Sequence, residues 1–208
     1  MRGRVAQRAG VIAAVAYLAA VTAFEVLRRG EHGPRIADLS SSPAGVASGH
    51  LWRLLTSGLV VAGDPEVQIA GAGIAAAAVL ALLGPGAFWR AALAGHVGAT
   101  LVAYAGVGVV WLVSRADVDA VVDAPDYGIS CVWAGTLGAL VAAGVRGPAR
   151  RPMPGVALVA AALFVTATAF SSDLAGVEHA LAFLLGGVFA VGLRARGGRT
   201  GSGLAAPA

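Results

Sequence analysis

The stretch GISCVWAGTLGALVAAGV (residues 128–145) decides the fold of this chain. It is an apolar run entered through Gly128, Ile129 and Ser130. Along it Ser130, Ala134 and Gly138 recur every four residues, which puts them on one helical face. A second run, HALAFLLGGVFAVGL (179–193), is entered through His179. There His179, Ala182 and Gly186 stand at i, i+3 and i+7, again on one face. Stripes of small residues let membrane helices approach closely and pack by van der Waals contact. If these two stripes face each other, the imidazole of His179 lands beside the hydroxyl of Ser130, as a base beside a nucleophile.

Both runs belong to a chain built for lipid. Its 208 residues are 58% hydrophobic and 12% charged, about half the charged fraction of a soluble domain, and its mean hydropathy is +0.79. A small globular core cannot hide that much apolar surface, so the bilayer is the solvent. The length suits one domain. All 15 basic residues are Arg, and they sit at the ends of apolar runs instead of forming a patch. The pI near 10.2 is therefore no sign of nucleic-acid binding. The single Cys131 excludes an intrachain disulfide and a cysteine-rich metal site.

Six spans follow from the apolar runs and the charges and Gly/Pro clusters between them: 9–27, 67–83, 88–113, 129–145, 155–170 and 179–193. The fourth and sixth are short, as suits helices surrounded by other helices. The first has features of a signal peptide, with an Arg-rich start and Val21-Thr22-Ala23 as a weak cleavage site. Its continuation through residues 24–27 and the five spans behind it favour retention. The membrane domain occupies 1–195, and 196–208 reads as a disordered cytoplasmic tail of small residues.

Charge sorts across these spans. Arg2, Arg4, Arg8, Arg90, Arg146, Arg150, Arg151, Arg194, Arg196 and Arg199 fall on one side, with no acidic residue. Arg28, Arg29, Arg35, Arg53 and Arg115 fall on the other, with every Asp and Glu. The positive-inside rule then places both termini in the cytoplasm. The even-numbered spans run from outside to inside, so Ser130 and His179 both lie near the outer face at similar depth.

Each of these residues also has a plainer reading. Ser130 reads as a helix N-cap as well as a nucleophile. His179 reads as a solvated interfacial residue as well as a base. Glu178 points about 100° away from its neighbour and reads as a solvated loop charge, not as a third catalytic member. His96, about 10 Å into the third span from its cytoplasmic end, reads as a structural hydrogen-bonding residue. Cys131 reads as a small packing residue. Asp117, Asp119, Asp123 and Asp126 have no Ca²⁺-loop spacing and read as solvated acids. No Gly-rich stretch follows a strand, so no nucleotide site is indicated.

Taken together, the chain resembles the rhomboid family of intramembrane serine proteases. GISCVWAG (128–135) is similar to that family's Gly-x-Ser-Gly motif with a further Gly four residues on. HALAFLLG (179–186) is similar to its catalytic His followed by Gly at +3 and +7, with Ala182 at +3 and Gly186 at +7 here. GHLWRLLTS (49–57) supplies Trp52, Arg53 and Thr56 where the family carries a Trp-Arg pair and a Thr in its first outer loop. GHVGAT (95–100) and DYGIS (126–130) look more like the divergent actinobacterial rhomboid-like proteins. The resemblance covers residues 9 to 195.

It implies an all-α polytopic membrane protein, a six-helix rhomboid-like bundle in the bacterial inner membrane. Ser130 and His179 would be its catalytic dyad, without metal or cofactor, cleaving a membrane-anchored protein substrate. Gly128, Cys131 and Gln68 would support the oxyanion. Trp52 and Arg53 would either serve the first outer loop as they do in the family or simply anchor it at the interface. The departures from the family are specific. No Asn occurs anywhere in the chain, no His lies between Trp52 and Gly95, and Cys131 and Ala182 stand where the family has Gly. Losing one oxyanion donor costs about 10²–10³ in rate. A catalytically silent relative that binds transmembrane clients is therefore the alternative reading. A small transporter is a third reading, against which stand the lack of a visible inverted repeat and of any mid-span charge. No nucleic-acid partner is expected.

Overall fold

A computed structural model gives the fold for residues 2–30, 33–61, 63–146, 153–168 and 174–191. Six long helices carry it: α1 (Arg2–Arg28), α2 (Pro65–Leu82), α3 (Pro85–Val113), α4 (Ser130–Arg146), α5 (Met153–Thr168) and α6 (Leu174–Val191). Among the described residues there is no strand, only an isolated antiparallel bridge between Ser41 and Asp126. By length and composition α1, α2 and α3 suffice to cross a membrane, while α4, α5 and α6 are shorter apolar helices. Ile12, Val15, Ile74, Leu112, Leu158, Leu184 and Val188 are among many large apolar side chains left exposed. A soluble monomer rarely tolerates so much exposed apolar surface. Helices long and apolar enough to cross a bilayer, together with this exposed apolar surface, mark a membrane protein.

The helix ends follow from local sequence. Asp64 caps α2, its side chain accepting from Glu66 N at 3.1 Å and Val67 N at 3.2 Å, and Pro65 starts the first turn. Gly84 turns the chain from α2 into α3 at φ +86°, where a Cβ would be strained. Inside α3, Ala94–Gly98 forms a π-helical turn, an insertion that often marks functional sites. The sixth helix starts at Leu174, so His179 is its sixth residue and not its first. Glu178 does not end the helix but is buried within it. With α3 starting at Pro85, His96 is the twelfth residue of the helix, about 17 Å along it at 1.5 Å per residue.

Helix α4 is the hub, touching α2, α3, α5 and α6. Its residues Cys131, Val132, Ala134, Leu137, Ala139 and Leu140 are all buried. A helix shielded in this way need not match the bilayer's full thickness. Small residues of both predicted stripes sit where α4 and α6 cross: a Cβ on Gly138 would strike the Phe183 carbonyl, and one on Gly186 would strike the Gly135 backbone. Ala134 and Ala182 pack together with Ala99 and Cys131. Gly95 in the π turn also meets α4, where a Cβ on it would lie 2.9 Å from the Cys131 carbonyl oxygen. Small residues at these crossings let three backbones converge. Helix α1 packs on α2 and α3, where Trp89 Nε1 donates to Gly10 O at 3.0 Å.

The first loop, residues 33–61, is more than a surface connection. Its short helices Ile36–Leu39, Pro43–Ala47 and Arg53–Thr56 lead into a buried stretch that includes Leu54, Ser57, Val60 and Val61. Three elements hold it there. Tyr17 OH of α1 donates to Gly58 O at 2.8 Å, Ser57 Oγ meets His96 Nε2 of α3 at 3.3 Å, and Gly128 N donates to Ser57 O at 3.1 Å. His96 is thus the structural hydrogen-bonding residue expected of it, bonded to a loop residue. The expected tail, 196–208, lies outside the described residues, as do Arg150, Arg151, Arg194, Arg196 and Arg199.

Candidate active site

Ser130 is the first residue of α4 and owes its place to the turn before it. Gly128 sits at φ +140°, and a Cβ there would fall 2.8 Å from Ser130 Oγ. Only Gly takes that backbone without strain. The first intrahelical bond of α4 runs from Trp133 N to Ile129 O at 2.9 Å. Ile129, not Ser130, therefore occupies the cap position, and the N-cap reading of Ser130 is not realised. The N–H groups of Ser130, Cys131 and Val132 precede that first bond and fall among those a helix N-terminus leaves without intrahelical partners. Gly128 N–H is different: it is committed to Ser57 O. Gly128 therefore shapes the turn and is not a free oxyanion donor.

His179 reaches the same place from α6. A cavity of about 340 Å³ is lined by Ser130 and His179 together with Gln68, Asp64, Trp133 and Phe164. Thus α2, α4, α5 and α6 each contribute to one chamber. Ser130 and His179 share it without a hydrogen bond, since the one serine–histidine bond among the described residues is Ser57 to His96. Gln68 is the amide that α2 brings to this cavity. Phe164 of α5 stacks on Phe183 of α6, with ring centroids 4.1 Å apart, and closes one wall. A second, apolar groove of about 540 Å³ lies between α2, α4 and α5. It shares Val67, Trp133 and Leu137 with the chamber. The indole of Trp133 lies against Gly71 at this junction, and its Nε1 is buried without a partner.

The acids next to the site depart from the sequence reading. Glu178 is 1% exposed, not a solvated loop charge. Asp126 is not simply solvated either. Its Oδ2 accepts from Tyr104 OH at 2.7 Å, and its backbone exchanges bonds with Ser41 at 2.9 and 2.8 Å. Helical spacing turns Glu178 about 100° from His179, and it lies near Asp126 and Tyr104. No local signal marks this arrangement, because its members come from four separate segments.

Trp52 and Arg53 form a cation–π pair, the guanidinium 5.2 Å from the ring centroid, with Trp52 half-exposed. Neither lines the chamber. Nearby on the exposed loop, the Arg35 guanidinium holds the Asp38 carboxyl below its usual value by a hydrogen bond of 3.0 Å. Cys131 is buried in the α4–α6 seam, consistent with packing. Compared with protein-family models, with curated proteins and with solved structures, the chain matches none.

Proposed function

We propose that this chain is a rhomboid-type intramembrane serine peptidase. It would be a six-span protein of the bacterial inner membrane with both termini in the cytoplasm, hydrolysing a peptide bond of a membrane-anchored substrate. The observation that carries this reading is the shared chamber. Ser130 and His179 come from different helices, yet they line one cavity that adjoins an apolar groove. In the reaction Ser130 Oγ attacks the scissile carbonyl while His179 takes its proton. The imidazolium then returns that proton to the leaving amine. The N–H groups of Ser130, Cys131 and Val132, at the positive end of the α4 dipole, stabilise the oxyanion. Water releases the acyl group by the same steps in reverse order. The apolar groove beside Trp133 accommodates the substrate's apolar flank.

The supporting shell is sparse. With no Asn in the chain and Gly128 N–H already bonded, turnover is slower than a full oxyanion hole allows, by about 10²–10³ per missing donor. A second reading, a silent relative that holds transmembrane clients in the same groove, draws support from the missing Ser130–His179 hydrogen bond. The two readings separate in proteoliposomes carrying a model transmembrane substrate. The peptidase reading expects slow cleavage that Ser130→Ala and His179→Ala both abolish. Substrate retention without cleavage by the wild type supports the silent reading instead.

A further inference from the structure

A polar cavity of about 370 Å³ lies in the first loop, apart from the chamber of Ser130 and His179. Residues 37–53 build most of its wall, and Asp123 and Pro125, from the segment before α4, complete it. Its polar lining is Ser40, Ser42, Ser48, His50, Arg53 and Asp123. The Arg53 guanidinium is the unsatisfied member. Among the described residues it has no ion pair and no hydrogen bond, and its Nε is buried without a partner. Other arginines of this loop and of the end of α1 are occupied, Arg28 and Arg29 by Glu25 and Arg35 by Asp38. A guanidinium has five donors and no acceptor, and a buried charged donor left unpaired is costly. Two hydroxyls of the same cavity are also incomplete. Ser40 is 3% exposed, and its Oγ makes no hydrogen bond among the described residues. Ser42 Oγ accepts from Gly45 N at 3.0 Å, which leaves its own proton to donate. The cavity therefore offers donors and lacks acceptors, and an anion with several oxygens supplies them.

The surroundings point to a lipid as the carrier of that anion. Leu51, Trp52 and Leu55 flank Arg53 in sequence and are 58%, 50% and 62% exposed. On a protein with membrane-crossing helices, side chains of this kind meet acyl chains, and Trp favours the headgroup level. The Trp52 ring also carries the Arg53 guanidinium, 5.2 Å from its centroid, which ties the cation to the apolar rim of the cavity. We propose that the cavity binds the phosphate of a phospholipid headgroup through Arg53 and the hydroxyls of Ser40 and Ser42, with the acyl chains along Leu51, Trp52 and Leu55. Two exposed residues of the lining, His50 and Asp123, set the selectivity. The His50 imidazole N–H adds a donor for the phosphate. Asp123 adds a carboxylate, so the headgroup that fits carries an ammonium beside its phosphate, as phosphatidylethanolamine does. An anionic headgroup without an ammonium meets Asp123 as a like charge. This site goes beyond the peptidase reading and does not depend on whether Ser130 reacts.

The test is native mass spectrometry of the full chain in detergent micelles, titrated with dioleoyl phosphatidylethanolamine. Arg53→Gln should weaken binding by about tenfold, the loss expected of a charge-assisted contact. Arg115→Gln removes the same charge from an arginine stacked on Trp111, outside the cavity, and should leave binding unchanged. The wild type should bind phosphatidylethanolamine more tightly than phosphatidylglycerol with the same acyl chains, and Asp123→Asn should remove that preference. Equal binding by wild type and Arg53→Gln, or none by either, overturns the proposal, as does an equal loss in Arg115→Gln. A wild type that prefers phosphatidylglycerol overturns it as well. Thermal stabilisation by inorganic phosphate or glycerophosphoethanolamine equal to that by the lipid would assign the cavity to a soluble anion and refute the lipid. Should Arg53→Gln not fold, photolabelling of the wild type decides the matter. Phosphatidylethanolamine with a diazirine at the glycerol end of an acyl chain should mark residues 51–55, and labelling confined to other segments refutes the site.

Discussion

Replacing Gly186 with Ala tests the seam that brings His179 to Ser130. A methyl at Gly186 would meet the Gly135 carbonyl oxygen and lie 2.5 and 2.6 Å from its Cα and carbonyl carbon. All three are backbone atoms and cannot rotate away. Relieving the contact means moving α6 back by roughly 1 Å, which strips dispersion contacts from the seam of Ala134 and Ala182. Overpacking of this kind costs about 3 kcal/mol at the upper end of its range, because the obstacle is main chain. Ala gains about 1 kcal/mol over Gly in helix propensity. The net loss is about 2 kcal/mol. For a chain of this size that lowers Tm by about 4–8 °C. The control is Gly106→Ala on α3, where an added methyl meets nothing within 4 Å. It should leave Tm unchanged or raise it by a few degrees, by roughly the same propensity term. Thermal unfolding in detergent micelles, followed by tryptophan fluorescence, reads both variants. If Gly186→Ala melts at or above the wild type, α4 and α6 are not in backbone contact and the chamber is not built as described.

Two further outcomes follow from the same geometry. Gly128→Ala should fold but lose most reactivity of Ser130 toward a serine-directed probe, because the new methyl takes the space 2.8 Å from its Oγ; undiminished labelling would show that the turn does not set the serine's position. Reporter fusions placed after Arg115 and after Arg150 should report opposite sides of the membrane, from the one-sided placement of the acids, and a shared side would remove the basis for a six-span bundle with both termini in the cytoplasm.

Much of the helical framework is written in the sequence, because apolar runs and the charges that end them act locally. The stripes of Ser130, Ala134, Gly138 and of His179, Ala182, Gly186 also needed only helical periodicity, and of them Ala134 and Ala182 pack together. What depended on distant partners was not legible. Glu178 looked like a loop charge because its burial rests on Asp126 and Tyr104, each on another segment. The apolar run that opens at His179 belongs to a helix that begins at Leu174, since a charge ends an apolar run without ending a helix. Ser57 and Gly58 looked like loop residues, although the apolar neighbours Leu54, Leu55, Leu59, Val60 and Val61 were a signal that this loop goes inside. The π turn at Ala94–Gly98, which packs against α4 and α6, left no mark beyond Gly95 and Gly98. Trp133, at the junction of chamber and groove, read as one more apolar residue of the fourth span.

The central claim is that Ser130 is a nucleophile activated by His179, and covalent labelling tests it most directly. Wild-type protein in bilayers, incubated with a fluorophosphonate and examined by intact-mass spectrometry, should gain one adduct, mapped to Ser130. The adduct should be absent from Ser130→Ala and from His179→Ala, with both variants folded by thermal unfolding. A wild-type protein that stays unmodified under conditions that label other serine hydrolases, or an adduct that persists in Ser130→Ala, would contradict the account.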